Sequence, residues 1–146
     1  MRPCPPRCSE PSRDDVVRVL LDTQVFLWLQ AAPERLGEHL RTVEDPHNEL
    51  IVSAASSWEI AIKHEIGKLT LPEEPARYVP SRIRMIGARA LAVEHAHALA
   101  VATLPALHRD PFDRLLVAQA QLEGMTILTA DDSVARYPVG SILLTA

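Results

Sequence analysis

Four carboxylates fall where a folded α/β chain would gather them. Asp22 follows the apolar run at 16–21, Asp131 follows the apolar stretch 126–129, Asp113 stands in the first turn of a helix opened by Asp110-Pro111, and Glu59 lies inside a largely apolar helical segment. Converging carboxylates without cysteine or histidine partners are hard oxygen ligands. They suit Mg²⁺ or Mn²⁺, which keep several waters and accept phosphate oxygens in the remaining positions. The chemistry implied is metal-assisted phosphodiester hydrolysis, in which water is activated and the charge developing on the phosphate is neutralised. Thr23, Ser56, Thr129 and Ser133 are hydroxyls placed to orient those acids. Each acid also has an ordinary role open to it. Glu59 can pair with Lys63 one turn on along a solvated helix face. Asp110 suits an N-cap, and for Asp113 a place in the first helical turn is compatible with both capping and metal binding. Asp131 and Asp132 read equally as turn residues.

Other sites are excluded or weak. The five glycines are too scattered for a dinucleotide loop or a P-loop, and no Gly-x-Ser-x-Gly elbow occurs. The six histidines show no metal-binding spacing, and His95 and His97 point to different sides of a helix, as ordinary surface histidines would. Arg77, Arg82, Arg84 and Arg89 form a local basic strip, because no acid occurs between positions 77 and 93. That strip, or Arg109 and Arg114 beside Asp113, could contact phosphates; a solvated helix face explains them as well.

The elements that must position these residues alternate between strand and helix. The run at 16–21 reads as a central parallel strand buried on both faces, and Asp22-Thr23 ends it. Helical spacing follows through 25–28, then a second helix over 33–43 is closed by Asp45-Pro46. A strand at 50–52 leads to Ser53, which can cap a helix whose Trp58, Ile62 and Ile66 repeat at helical spacing, with Gly67 as its stop. A helix at 75–87 interrupted or begun at Pro80, a strand at 90–93, a helix at 94–103, a long helix from Pro111 to Glu123, and strands at 126–129 and 141–145 complete the pattern. Such alternation predicts right-handed crossovers and a three-layer α/β/α sandwich with a central, mostly parallel sheet and its sites at the carboxyl ends of the strands.

The chain has 146 residues, 47% hydrophobic and 23% charged, which fits one globular domain. Residues 1–15 read as a disordered Pro- and Arg-containing leader and 16–146 as the domain; Cys4 and Cys8 sit in the leader, too few for a zinc site. No apolar run spans a membrane and no secretory signal is present, so a cytoplasmic protein is expected. The formal net charge of −4 argues against tight nonspecific coating of a nucleic acid.

Four stretches together resemble the VapC branch of the PIN-domain family. They are Leu20-Leu21-Asp22-Thr23-Gln24-Val25-Phe26-Leu27-Trp28, Ser57-Trp58-Glu59-Ile60-Ala61-Ile62-Lys63, the segment from His108-Arg109-Asp110-Pro111-Phe112-Asp113 through Ala120, and Leu128-Thr129-Ala130-Asp131. The resemblance covers residues 17–146 and implies a PIN-like fold and a Mg²⁺- or Mn²⁺-dependent endoribonuclease, the toxin of a toxin–antitoxin pair. It puts the acidic residues at Asp22, Glu59, Asp113 and Asp131. It further implies a homodimer, an RNA substrate and a cognate antitoxin that inserts a peptide near the acids. Gln24 departs from the family's frequent Asn, and the leader has no counterpart. A non-catalytic PIN-like module that binds RNA or a partner is the alternative, and a phosphatase or DNA nuclease using the same acids is a third.

Overall fold

The computed structural model describes residues 17–107 and 109–143; the expected leader at 1–15, with Cys4 and Cys8, lies outside them. Five strands form one sheet in the order β3-β2-β1-β4-β5, and each neighbouring pair is parallel. They are β1 (Arg18–Leu21), β2 (Glu49–Ser53), β3 (Arg89–Leu91), β4 (Thr126–Thr129) and β5 (Ser141–Leu143). The expected mostly parallel sheet is thus parallel at every described pairing. Helices α1 (Thr23–Ala31), α2 (Leu40–Glu44), α3 (Ala54–Glu65), α4 (Pro75–Met85), α5 (His95–Ala100), α6 (Pro111–Glu123) and α7 (Asp132–Ala135) connect the strands.

Strand alternation sorts the apolar residues onto two faces, because successive side chains of a strand point opposite ways. Val19 and Leu21 of β1, Leu50 and Val52 of β2 and Leu128 of β4 join Val25, Phe26 and Val79 in one core. Leu20, Ile51 and Ile127, the residues between them, join Leu116, Val117 and Val134 in the other. These two cores make the α/β/α sandwich. Uninterrupted apolar strands are what such double-sided burial requires.

Helix boundaries follow local chemistry. Ser53 caps α3 by accepting from the Ala55 N–H, and Asp110 caps α6 by accepting from the Phe112 N–H with Pro111 in the first turn. Gly124 ends α6 at φ 67°, a left-handed conformation that favours glycine. Several expectations are corrected. The helix expected at 33–43 is a 3₁₀ segment, Pro33–His39, followed by the short α2, because Gly37 takes φ 56° and ψ −133° and breaks the run. Pro80 lies inside a continuous α4 and does not divide it. The strand expected at 90–93 is Arg89–Leu91, and the helix expected at 94–103 divides into α5 and a 3₁₀ turn, Val101–Thr103. The Trp58, Ile62, Ile66 stripe does not face the core: Trp58 and Ile66 are 60% and 57% exposed, and the buried residues of α3 are Ala55, Ser56, Glu59 and Ile60.

A polar chain runs through the second core. Ser53 Oγ donates to Gln119 Oε1 at 2.5 Å, and Gln119 Nε2 donates to the Ala92 carbonyl at 3.1 Å and lies 3.3 Å from His97 Nδ1. The Glu94 N–H donates to His97 Nδ1 and His97 Nε2 meets Glu123 at 2.8 Å, so His97 is a buried link between α5 and α6 and not the surface histidine expected. Replacing Gln119 by Leu keeps the volume but strands the Ser53 hydroxyl and the Ala92 carbonyl. Gln119→Leu is therefore expected to lose about 1–3 kcal/mol of stability, read as a lower denaturant midpoint with an unchanged slope.

Candidate active site

The sheet order places a crevice at one point. The chain leaves β1 toward β2 and β3 on one side, and later fills β4 and β5 on the other. The connections diverge between β1 and β4, and in open parallel sheets ligands bind outside the carboxyl ends of the strands at that switch point. Asp22 follows β1 and Asp131 follows β4 by two residues. An open cleft of about 560 Å³ lies there, lined by six acidic residues, Asp22, Glu59, Asp110, Asp113, Asp131 and Asp132, and by Lys63 and Lys68. All four expected site residues therefore reach one cleft from four elements of the fold.

Three of these acids also cap helices. Asp22 Oδ1 accepts the Val25 N–H at the start of α1, Asp110 Oδ1 that of Phe112 in α6, and Asp131 Oδ1 that of Ser133 in α7. Helix N-termini carry partial positive charge, so they hold carboxylates favourably and lower the cost of crowding acids together. Capping and lining the cleft are one arrangement here: Asp131 caps α7 and lines the cleft as well.

Asp22 is the most enclosed of the described aspartates. Its Oδ2 accepts from Thr129 Oγ1 at 2.5 Å and from the Ala130 N–H at 3.4 Å, while its own N–H donates to the Leu128 carbonyl across the sheet. Burial pushes its carboxyl above the ordinary range. The hydrogen bonds from Thr129, Val25 and Ala130 oppose that rise, and the nearby charge of Glu59 adds to it. Glu59 is buried too: Oε1 accepts from Thr23 Oγ1 at 2.7 Å, Oε2 accepts from Lys63 Nζ at 2.7 Å, and Thr23 is 3.0 Å from Ser56 Oγ. The pairing with Lys63 exists as expected, but on a face turned into the cleft. The hydrogen bond to Glu59 holds the Lys63 ammonium above the ordinary lysine range; partial burial opposes this, and the charges of Glu59, Asp110 and Asp113 support it. Thr23 and Thr129 thus orient acids as expected, whereas Ser56 meets the Thr23 hydroxyl and no carboxylate; at Ser133 the backbone N–H holds the acid, and its hydroxyl takes a bond from Arg136.

Trp58 packs edge-on against Phe112, with ring centroids 5.1 Å apart, and ties the helix bearing Glu59 to the one bearing Asp113. The expected basic strip does not reach the cleft. Arg82 lies over Tyr78, Arg89 pairs with Glu49, and Arg84 lines a groove beside α4. Arg114 donates to the Pro105 and Val101 carbonyls and to Tyr137. The cleft's cations are Lys63 and Lys68, which the sequence reading did not assign; their signal was the spacing from Glu59 to Lys63 and the Gly67 turn that returns Lys68.

An oxygen-only donor set with a desolvated aspartate at its floor fits a hard divalent cation. Among the described residues no three carboxylate, histidine or cysteine side chains are close enough to hold an ion by themselves. Mg²⁺ asks for less, since it is usually bound through one or two carboxylates with water and phosphate oxygens.

A parallel α/β sandwich with a carboxylate cleft at its switch point defines the class. The PIN domain model matches residues 19–140, and the chain belongs to the PIN domain family. It is 47% identical over 66 residues to Ribonuclease VapC16 of Mycobacterium tuberculosis, covering 45% of this chain and 47% of that relative, so the match spans about half of VapC16. It is 31% identical over 116 residues to Ribonuclease VapC22 of the same organism, covering 77% of this chain and 86% of VapC22. In structure it is similar to VapBC2 from Rickettsia felis bound to a DNA fragment from their promoter, with a TM-score of 0.67 at 13% identity over 88% of this chain and all of that one.

Because burial raises the Asp22 carboxyl's affinity for a proton, the folded protein holds that proton to higher pH than the unfolded chain. The resulting stability is complete below the ordinary carboxylate range and is lost as pH rises through the folded-state value. In EDTA, Asp22→Asn is therefore expected to melt at a higher temperature than the parent at neutral pH, with the difference shrinking toward strongly acidic pH; thermal melts across pH check it.

Proposed function

We propose that this chain is a Mg²⁺- or Mn²⁺-dependent endoribonuclease, the toxin of a VapBC-type toxin–antitoxin pair, acting in the cytoplasm. The observation that carries the proposal is the meeting of Asp22, Glu59, Asp113 and Asp131 in one cleft at the switch point of the sheet. The names of its VapC ribonuclease relatives support RNA as substrate. Likeness to VapBC2 supports an antitoxin partner. An apolar groove lined by Ala61, Val79, Pro80 and Ile83 supports contact with such a protein or with a second copy in a homodimer. Among the described residues no helix is long and apolar enough to cross a membrane. Residues 16–146 would then form the nuclease domain, and the leader is assigned no role.

In this mechanism Asp22, Asp113 and Asp131 would hold the cation, one or two of them directly and the rest through bound water, and Glu59 would complete the site directly or through water. When bound, the ion supplies activation of water and neutralisation of charge on the phosphate. The residues of the chain do the rest. Thr129 and the Val25 N–H fix the Asp22 carboxylate, so it does not reorganise when substrate enters. Thr23 fixes Glu59 in the same way. Six acids around an open cleft repel an RNA backbone, and only a cation between them makes phosphate approach favourable.

Purified protein without antitoxin is expected to cleave RNA in Mg²⁺ or Mn²⁺ and not in EDTA. Asp22→Asn is expected to lose at least about 100-fold in rate while its circular dichroism spectrum is unchanged, and Glu59→Gln to lose less. RNA binding without cleavage by the metal-loaded parent would favour the non-catalytic module, and cleavage of DNA or small phosphoesters in preference to RNA would favour the third reading.

A further inference from the structure

Lys63 stands in the cleft where a cation is wanted. Its ammonium lies 2.7 Å from Glu59 Oε2, and Asp110 and Asp113 also act on its charge. The two partners of this pair differ in freedom. The Glu59 side chain is 6% exposed and held by Thr23 on its other oxygen, whereas the Lys63 side chain is 47% exposed on the outer turn of α3. Glu59 cannot follow a departing partner, and Lys63 can swing into water at small cost. An exposed ammonium on one oxygen of a fixed, buried carboxylate is an exchangeable ligand: the ammonium returns to water readily, and the carboxylate it leaves needs another cation.

We infer that Lys63 is a built-in counter-cation of the acidic cleft, a positioning residue that holds Glu59 in the metal-free protein and yields that carboxylate when a divalent ion binds. The inference rests on the proposed metal site and adds to it an internal competitor for loading. The exchange leaves charge balanced: the Lys63–Glu59 pair opens, the ammonium stays protonated and moves to the cleft mouth, and Glu59 Oε2 turns from one cation to another. Lys68 provides the control, since it lines the same cleft with the same charge and is not paired with Glu59.

Mn²⁺ titration of the full-length, antitoxin-free chain by calorimetry at fixed ionic strength tests this. Lys63→Gln is expected to bind Mn²⁺ about five- to tenfold more tightly than the parent, Lys63→Arg no more tightly, and Lys68→Gln with a clearly smaller gain than Lys63→Gln. Thermal melts without metal confirm that each variant is folded. Unchanged or weaker binding by Lys63→Gln, or an equal gain in Lys68→Gln, would overturn the exchange and leave the metal site standing. Binding to the parent that Asp22→Asn does not weaken, or no binding at all, would overturn the metal site itself and the exchange with it.

Discussion

The carboxylate of Asp22 has to be held where water scarcely reaches it, and the ends of β1 and β4 are built around that constraint. An ionised carboxylate in a poorly solvated place is tolerated only when its oxygens are supplied with donors. Val25, Thr129 and Ala130 supply them. The three donors come from the helix that follows β1 and from the end of β4, so one carboxylate pins a helix start to the neighbouring strand. The Thr129 hydroxyl in turn accepts the Asp131 N–H at 3.0 Å, which carries the same constraint to the next acid. Two of the four site acids are therefore set by a single short hydrogen-bonded sequence, with the parallel pairing of Leu21 to Leu128 beneath it.

The other two acids arrive on helices, and helices need separate anchors. Ser53 does two jobs at the head of α3: its hydroxyl oxygen accepts the cap bond from Ala55 and its proton goes to Gln119 of α6. That buried bond fixes the start of the helix carrying Glu59 relative to the helix carrying Asp113. Trp58 against Phe112 fixes the same pair nearer the cleft. A polar chain inside an apolar layer costs free energy unless every member is paired. Ser53, Gln119 and His97 meet that condition, and the arrangement they impose is more specific than apolar packing alone gives.

How much of this was legible in the sequence depended on how local its cause is. Strands β1 and β4, the caps at Ser53 and Asp110 and the stop at Gly124 follow from a few adjacent residues, and the structure keeps them. Asp22 and Asp131 were legible as candidates because parallel strands deliver whatever follows them to one edge. The inward face of α3 was not: Trp58, Ile62 and Ile66 form the more hydrophobic stripe, yet the side toward the sheet carries Ser56 and Glu59, because a site helix must turn polar groups inward. The surface position expected for His97 is overturned for a related reason, and the two readings of the arginines were not separable in the sequence on the same ground. Whether a lone histidine is buried, or a run of arginines faces a cleft, depends on partners such as Glu123, Tyr78 and Glu49, far away in the chain.

Charge is distributed in a way the total conceals. Among the described residues six acids and two lysines line the cleft, while the other ten acids and ten lysines and arginines balance, so their formal excess of −4 resides in the cleft. The described part of the chain is thus balanced elsewhere and strongly negative at one place. The field of such a place is felt mainly within about 8–10 Å at physiological salt, so it acts on what enters the cleft far more than on what passes at a distance. Occupation of the cleft by a divalent cation halves the formal deficit where it matters. Because those acids are held by helix caps and side-chain hydrogen bonds at the ends of the strands, this concentration of charge is built into the sheet's edge and needs no movement of the sheet to form.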